Sequence, residues 1–319
     1  MRLRRKRVTL PVSLLGAAAL VLASCAPEDE EPVDEPVEEE EEEVVDEEEE
    51  VVDEDEEAVE PGEVEFGFIP WDEAIAVTNL WHHILEEEGY EVTQTQLEVG
   101  GLYAGLAQGD LDVFVDAWLP ATHADYWEEF GDDIEELGVW FDEAPLTWTV
   151  PEYVDIDSIA DLQGNADTFD GQIIGIEPGA GLTRISLEEV IPTYELGDEY
   201  ELVEGSTPAM LTALEEAIRD EEPIVVTLWH PHWAYGEWDL KDLEDPENAL
   251  GDPDEIRMVA RDGFSADNPQ VAEWLGNFEF PLDELSELQV MINEMDDELE
   301  AAAAWAEENP DRIDEWLGR

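Results

Sequence analysis

Basic side chains are what this chain most lacks. Its 319 residues carry 12 Lys and Arg against 89 Asp and Glu, a formal net charge of −77. Five of the twelve (Arg2, Arg4, Arg5, Lys6, Arg7) sit at the extreme N-terminus, and from Cys25 onward the only lysine is Lys241. That scarcity excludes a nucleic-acid partner, because binding phosphates needs clustered Lys and Arg. Cysteine is as scarce. Cys25 stands alone, so no disulfide can form within one chain. Neither a G-x-S-x-G elbow nor a G-x-G-x-x-G turn occurs, which removes the plainest signatures of a serine hydrolase and of a dinucleotide-dependent enzyme. No apolar run reaches the ~20 residues of a membrane-spanning helix.

The longest such run, Val8 to Ser24, follows the basic cluster and has the shape of a signal peptide. It ends Leu22-Ala23-Ser24-Cys25, which resembles the lipobox of bacterial lipoproteins, whose cysteine becomes the lipidated N-terminus. A retained N-terminal helix anchor is the alternative, and either way the body is expected outside the membrane and tethered to it. Residues 26–60 contain only Ala, Pro, Glu, Asp and Val. Val44-Val45-Asp46 recurs as Val51-Val52-Asp53, but the intervening glutamates repel rather than pair, so the segment reads as an extended, charge-stiffened tether.

From residue 63 onward there are 66 acidic and seven basic residues, a net of −59. A compact body with that charge repels itself at low ionic strength. Salt shortens the Debye length to about 3 Å at 1 M, so the expectation is a protein suited to a very salty medium. A generally acidic secreted protein is the plainer alternative. Apolar content of 43% is nonetheless ample for a core.

The body alternates short apolar runs with amphipathic stretches. Val64–Ile69, Val92–Leu97, Leu111–Ala117, Gln172–Ile176, Glu201–Val203 and Ile224–Leu228 read as strands. Glu73–Glu88, Tyr103–Gln108, Thr183–Tyr194 and Pro208–Arg219 read as helices, the last with Thr207 as N-cap and Pro208 at the first helical position. The alternation predicts mainly parallel α/β sheets. Leu146–Pro151 and Ile256–Ala260 look extended and flank a complete α/β unit, and the chain is helical from Asn268 on, with breaks at Pro281 and Pro310. The expected layout is a signal peptide over 1–24 and the lipidated cysteine with its tether over 25–62. One lobe then takes 63–150 plus 256–319, and a second lobe takes 151–255.

Three of the 12 tryptophans share a local grammar. Trp71 follows the strand Val64–Ile69, Trp118 follows Leu111–Ala117, and Trp229 follows Ile224–Leu228, each beside a proline (Pro70, Pro120, Pro231). Carboxyl ends of parallel strands are where open α/β sheets bind ligands. Indole faces are the best aromatic partners for a cation, and quaternary ammonium groups are their recurrent guest. Any one of these tryptophans also fits a core or lid position; together they point to a cage. The turn Glu177-Pro178-Gly179-Ala180-Gly181-Leu182-Thr183 enters a helix, and free amides at a helix start favour an anion. His123, just beyond Trp118, is a candidate donor to the same anion.

These residues carry a family resemblance. Trp71-Asp72-Glu73, Leu106-Ala107-Gln108-Gly109-Asp110, Ala117-Trp118-Leu119-Pro120-Ala121-Thr122-His123, Gly175-Ile176-Glu177-Pro178-Gly179-Ala180-Gly181, Glu204-Gly205-Ser206-Thr207-Pro208-Ala209-Met210 and Trp229-His230-Pro231-His232-Trp233 resemble the glycine-betaine-binding lipoproteins of osmoprotectant ABC importers. The resemblance implies a two-lobed type II periplasmic-binding-protein fold that closes on its ligand, with no catalysis and no cofactor. It implies that Trp71, Trp118 and Trp229 surround the trimethylammonium head. The amides of Gly181 and Leu182 and the side chain of His123 would then hold the carboxylate. Leu182 differs in side chain from the particular aliphatic residue expected there, which a backbone donor tolerates. The implied partners are a zwitterionic compatible solute and a transmembrane permease.

Two other readings stay open on the residues alone. His230 with His232, and His82 with His83, are pairs suggestive of a metal, though no third ligand has the usual spacing. A hydrolase acting on choline-like substrates would need a nucleophile, and Ser206 sits before Thr207-Pro208 in a helix-cap setting.

Overall fold

A computed structural model of the chain describes residues 61–295 and 297–319. The expected signal peptide, Cys25 and all but the last two residues of the acidic tether lie outside the described residues. The body begins with β1 (Glu63–Phe68), α1 (Asp72–Glu87), β2 (Glu91–Gln96), α2 (Val99–Gln108), β3 (Val113–Leu119), α3 (Ala124–Phe130) and β4 (Ile134–Ala144). It continues with β5 (Leu146–Pro151), β6 (Gln172–Ile174), α4 (Gly181–Ile185), α5 (Ile191–Thr193), β7 (Glu201–Val203), α6 (Thr207–Asp220), β8 (Val226–Trp229), α7 (Ala234–Glu237) and β9 (Leu240–Asp242). It ends with β10 (Asp254–Arg261), α8 (Phe264–Asp267), α9 (Pro269–Gly276), α10 (Leu282–Glu294), α11 (Glu298–Glu308) and α12 (Pro310–Trp316).

Two five-stranded sheets result, ordered β2-β1-β3-β10-β4 and β7-β6-β8-β5-β9. In each sheet one strand runs against its neighbours: β10 is antiparallel to β3 and β4, and β5 is antiparallel to β8 and β9. The reversed strands are those that meet the two crossings between sheets, β5 just after β4 and β10 on the return. The architecture is therefore two α/β lobes joined twice, and the remaining strands of each sheet run one way, as the alternation predicts.

Differences of detail have local causes. The sequence pattern puts β5 in the first lobe, through residue 150, yet it pairs with β8 and β9 in the second sheet. Only Pro145 separates it from β4, so no linker marks the crossing. β10 starts at Asp254, two residues before the expected return at Ile256. β4 has no counterpart among the expected strands. Its register against β10 shifts three times, and such bulges scramble the period-two pattern. The N-cap of α6 is Ser206 rather than Thr207. The Ser206 hydroxyl accepts from the Ala209 amide, while the Thr207 hydroxyl donates to Glu177.

β3 is the strand that positions the site. All seven of its residues, Val-Phe-Val-Asp-Ala-Trp-Leu, are buried, as expected of a strand hydrogen-bonded on both edges and covered on both faces. α1 starts with two acids, Asp72 and Glu73, that complement the positive end of the helix dipole. It buries Ala74, Val77, Leu80, Trp81 and Ile84 in the first lobe. Among the described residues no helix is long and apolar enough to cross a membrane.

Candidate functional site

Trp71, Trp118 and Trp229 meet. Trp71 precedes α1, Trp118 is the next-to-last residue of β3, and Trp229 ends β8 in the other lobe. All three are buried. The Trp71 and Trp229 ring centres are 6.4 Å apart and the planes tilt by 58°. With Gly181, Leu182, Glu73, Thr122 and Ala180 among their neighbours, they line a tight cleft of about 20 Å³, room for little more than a water molecule with the lobes this close. The prolines after two of the tryptophans, Pro120 and Pro231, both follow cis peptide bonds.

Each indole is fixed from behind through its N–H. Trp229 donates to Glu73 Oε2 at 2.9 Å, across the lobes. Trp118 donates to Asp116 Oδ1 at 2.9 Å, within β3. Trp71 donates to Glu177 Oε2 at 3.3 Å, again across the lobes. Glu177 in turn accepts the Thr207 amide at 2.8 Å, so it ties Trp71 to the start of α6. With their N–H groups occupied at the edge, the rings keep their faces for the cavity. The electrostatics follow from burial. Burial, helped by the nearby Asp72, pushes the Glu73 carboxyl up to about 8 although Trp229 and its own amide hold it down. Burial and then Glu73 push Asp116 well above the carboxylate range.

The opposite wall is backbone. Gly181 opens a helical run that continues through Thr193, so its first amides have no intrahelical acceptor. At Gly181 the two lobes also come into close contact. A Cβ there would fall 2.0 Å from the Thr122 carbonyl oxygen and 2.6 Å from Thr122 Cγ2. Thr122 itself is held by Asp254, which accepts the Ala121 and Thr122 amides at 2.7 and 2.8 Å.

His123 stands one layer back from the cavity wall. It stacks on Trp71 with ring centres 5.7 Å apart. Its Nδ1 accepts the Trp118 amide at 3.1 Å and lies 3.1 Å from the Tyr103 hydroxyl. The proton is therefore on Nε2, a buried donor without a partner among the described residues. Burial, and then the charge of Arg184, lower the imidazole to about 3, so the ring is neutral at any ordinary pH.

The lobes are clasped on both flanks of the cavity. On one side Trp233 Nε1 donates to Asp72 Oδ1 at 2.5 Å, and His232 Nε2 lies 3.1 Å from Asp72 Oδ2. On the other, Arg184 faces Asp125 at 3.2 Å and donates to the Thr122 carbonyl at 3.4 Å, and the Tyr126 hydroxyl donates to the Gly179 carbonyl at 2.8 Å. The histidines suggestive of a metal are spread apart and engaged elsewhere. His230 meets Asp242 at 2.8 Å, and His82 meets Gln94 at 2.9 Å. Among the described residues no three His, Cys, Asp or Glu side chains gather as a metal site would require.

Sequence reasoning passed over Glu73, Asp116, Glu177 and Asp254. Asp116 left a signal: it is the one acid inside an otherwise apolar strand. Glu73 left none, because an acid in a first helical turn reads as a dipole complement.

Residues 62–308 match the family described as the substrate-binding domain of the ABC-type glycine betaine transport system. The chain is 38% identical over 145 residues to the glycine betaine/carnitine transport binding protein GbuC of Listeria monocytogenes. That stretch is 45% of this chain and spans about half, 48%, of the relative. Among solved structures it is similar to lactococcal OpuAC in its closed form complexed with glycine betaine, at 31% identity and a TM-score of 0.76. That match covers 80% of this chain and 99% of the other. It is also similar to a choline-binding protein of an ABC transporter in complex with choline, at 29% identity and a TM-score of 0.74, covering 80% of this chain and 91% of the other.

Proposed function

The chain belongs to the family of substrate-binding domains of ABC-type glycine betaine transport systems, and from that membership we propose that it captures glycine betaine, or a close quaternary-ammonium relative, between its lobes. The family is one of transport components rather than of enzymes. The observation that carries the reading is the meeting of three strand-end indoles from two lobes around one small cavity, each held by its N–H. Each desolvated indole face contributes up to about 2 kcal/mol toward a cationic head. In this reading the trimethylammonium sits among Trp71, Trp118 and Trp229. The carboxylate takes the amides of Gly181 and Leu182 and the Nε2–H of His123. Hydrogen bonds to a charged acceptor add about 1.5–3 kcal/mol each. Association entropy and lobe closure oppose these gains, which leaves a dissociation constant on the order of micromolar.

The closed lobes then deliver the solute to a transmembrane permease for osmoprotection. Cys25 is the lipidation site in the same proposal, and the acidic segment after it is the tether that leaves the body free outside the membrane. Isothermal titration of the purified protein tests the reading. Glycine betaine should bind at micromolar Kd, and unmethylated glycine should not bind measurably. Glycine binding as tightly as betaine would remove the cage from the account.

A further inference from the structure

Glu73 is the one ionisable side chain in the wall of the cavity. It is fully buried; Oε2 takes the Trp229 N–H, and Oε1 has no partner among the described residues. Asp116 repeats the arrangement one strand away. It is fully buried, Oδ1 takes the Trp118 N–H, and Oδ2 has no partner among the described residues. Burying a carboxyl with half of its acceptors unmet is costly. Nor is an acid needed to orient an indole. Trp140 is held by the Val115 carbonyl at 2.6 Å and Trp316 by the Glu279 carbonyl at 3.3 Å. What a carboxyl adds beyond orientation is charge.

We propose that Glu73, backed by Asp116, is a specificity-determining residue that reads the charge of the ligand's head, so that the cavity selects a cationic head over a neutral head of the same shape. This rests on the function proposed above. An ionised Glu73 acts twice on a cation. It attracts it directly across a low-dielectric gap, and through the Trp229 N–H it makes that indole's face more negative. A neutral head gains neither and only fills the space.

The charge is not free of protons. Two buried acids this close titrate as a pair, and burial pushes Glu73 to about 8 and Asp116 well above the usual range. The other ionisable groups around the cage include Asp72 on the same helix, itself held below its ordinary value by His232 and Trp233 despite its burial, His232 against the Trp229 ring, Tyr103, raised by burial and then by Asp116, Glu177 on Trp71, and His123, neutral throughout with Arg184 beyond it. Burial therefore biases the free pair toward holding protons. Entry of a cation favours the ionised form, and the proton leaves the carboxyl oxygen for solvent. Betaine affinity thus rises with pH as the pair gives up its proton.

The test compares glycine betaine with 3,3-dimethylbutyrate, which has the same shape and carboxylate but carbon in place of nitrogen. Parent, Glu73→Gln and Asp116→Asn are titrated at pH 6, 7 and 8, and at pH 7 in two buffers of different protonation enthalpy. In E73Q betaine should weaken about tenfold, which is about one pK unit of lost attraction, while dimethylbutyrate stays within about twofold. The parent should release a fraction of a proton at pH 7 and E73Q none. Equal losses for both ligands would mean that Glu73 only holds Trp229, and unchanged ratios would mean that it does nothing for charge; either overturns the proposal. If E73Q does not fold, D116N carries the same comparison. A parent that binds neither ligand overturns the proposed function as well, whereas a parent that binds betaine while both variants keep its selectivity overturns this inference alone.

Discussion

The two ends of the cavity are built from different materials. The cage end is side chains: three indoles, each fixed by a carboxyl group on its N–H. The opposite end is mostly backbone: the start of a helix pressed so close to Thr122 that only glycine fits at position 181. Side chains set affinity in graded steps, because each can be trimmed separately. A backbone end has no such steps. It is either reached by the closing lobe or it is not. The ends also differ in how protons act on them. Burial raises Glu73 behind the cage and lowers His123 near the anion end.

The backbone end should give the largest effect. Gly181→Ala puts a methyl into the Thr122 carbonyl, so the lobes cannot close as they do here. Betaine affinity should fall at least ~100-fold, or about 2.7 kcal/mol, with an unchanged circular dichroism spectrum. A variant that binds within a few-fold of the parent would show that the end tolerates a gap and that the contrast between the two ends is wrong.

Next is ligand choice. Choline offers a hydroxyl where betaine offers a carboxylate, leaving donors at Gly181, Leu182 and His123 under-used. Unmet buried hydrogen bonds cost about 1–3 kcal/mol, so betaine should win by at least about tenfold. His123→Ala should erase most of that preference, and should weaken both ligands somewhat because the ring also stacks on Trp71 and accepts the Trp118 amide. Equal affinities in the parent would remove the carboxylate pocket.

Stability against pH separates the ends by sign. Glu73 binds its proton more tightly folded than unfolded, so its contribution is complete below about pH 4.5 and is lost as pH rises through about 8. His123 does the reverse: folded it resists protonation, so stability is lost as pH falls from 6.5 toward 3. Each contribution is on the order of 1 kcal/mol per pH unit within its window. Denaturant midpoints across pH 4–8 should show a shallower alkaline decline in E73Q, with Asp116 supplying what remains, and an unchanged one in His123→Ala. The opposite pattern would exchange the two assignments.

Salt should move binding least. The ligand is a zwitterion, so long-range steering contributes little, and betaine affinity should change less than about threefold between 0.5 and 3 M NaCl. Over the same range the melting temperature should rise, because 66 acids against seven bases repel until screened. A melting temperature that is flat or falling would end the reading of the acidity as a salt adaptation.

The site was legible in the sequence where the chain punctuates itself. The prolines beside Trp71, Trp118 and Trp229 mark strand ends, and strand ends in α/β lobes converge. Gly181 was legible as a turn glycine, though its contact with Thr122 belongs to the other lobe and leaves no trace in local pattern. β4 was not legible, because its shifts of register break the alternation on which a strand is read. The crossing at Pro145 was hidden for a related reason: two strands of different sheets run almost without a break. His123 was picked out, but its place behind Trp71 depends on how β3 and α2 stack, which no spacing reveals.

The central claim is that three indoles from two lobes share one cationic head. Titration of glycine betaine against Trp71→Ala, Trp118→Ala and Trp229→Ala tests it most directly, with Trp274→Ala as the control. Trp274 is buried in α9 against Tyr90, away from the cavity lining. Each cage variant should lose about tenfold or more, up to 2 kcal/mol per face, and Trp274→Ala should bind like the parent in conditions where it is folded. Three cage variants that bind as well as the parent, beside a Trp274→Ala that does not, would contradict the assignment.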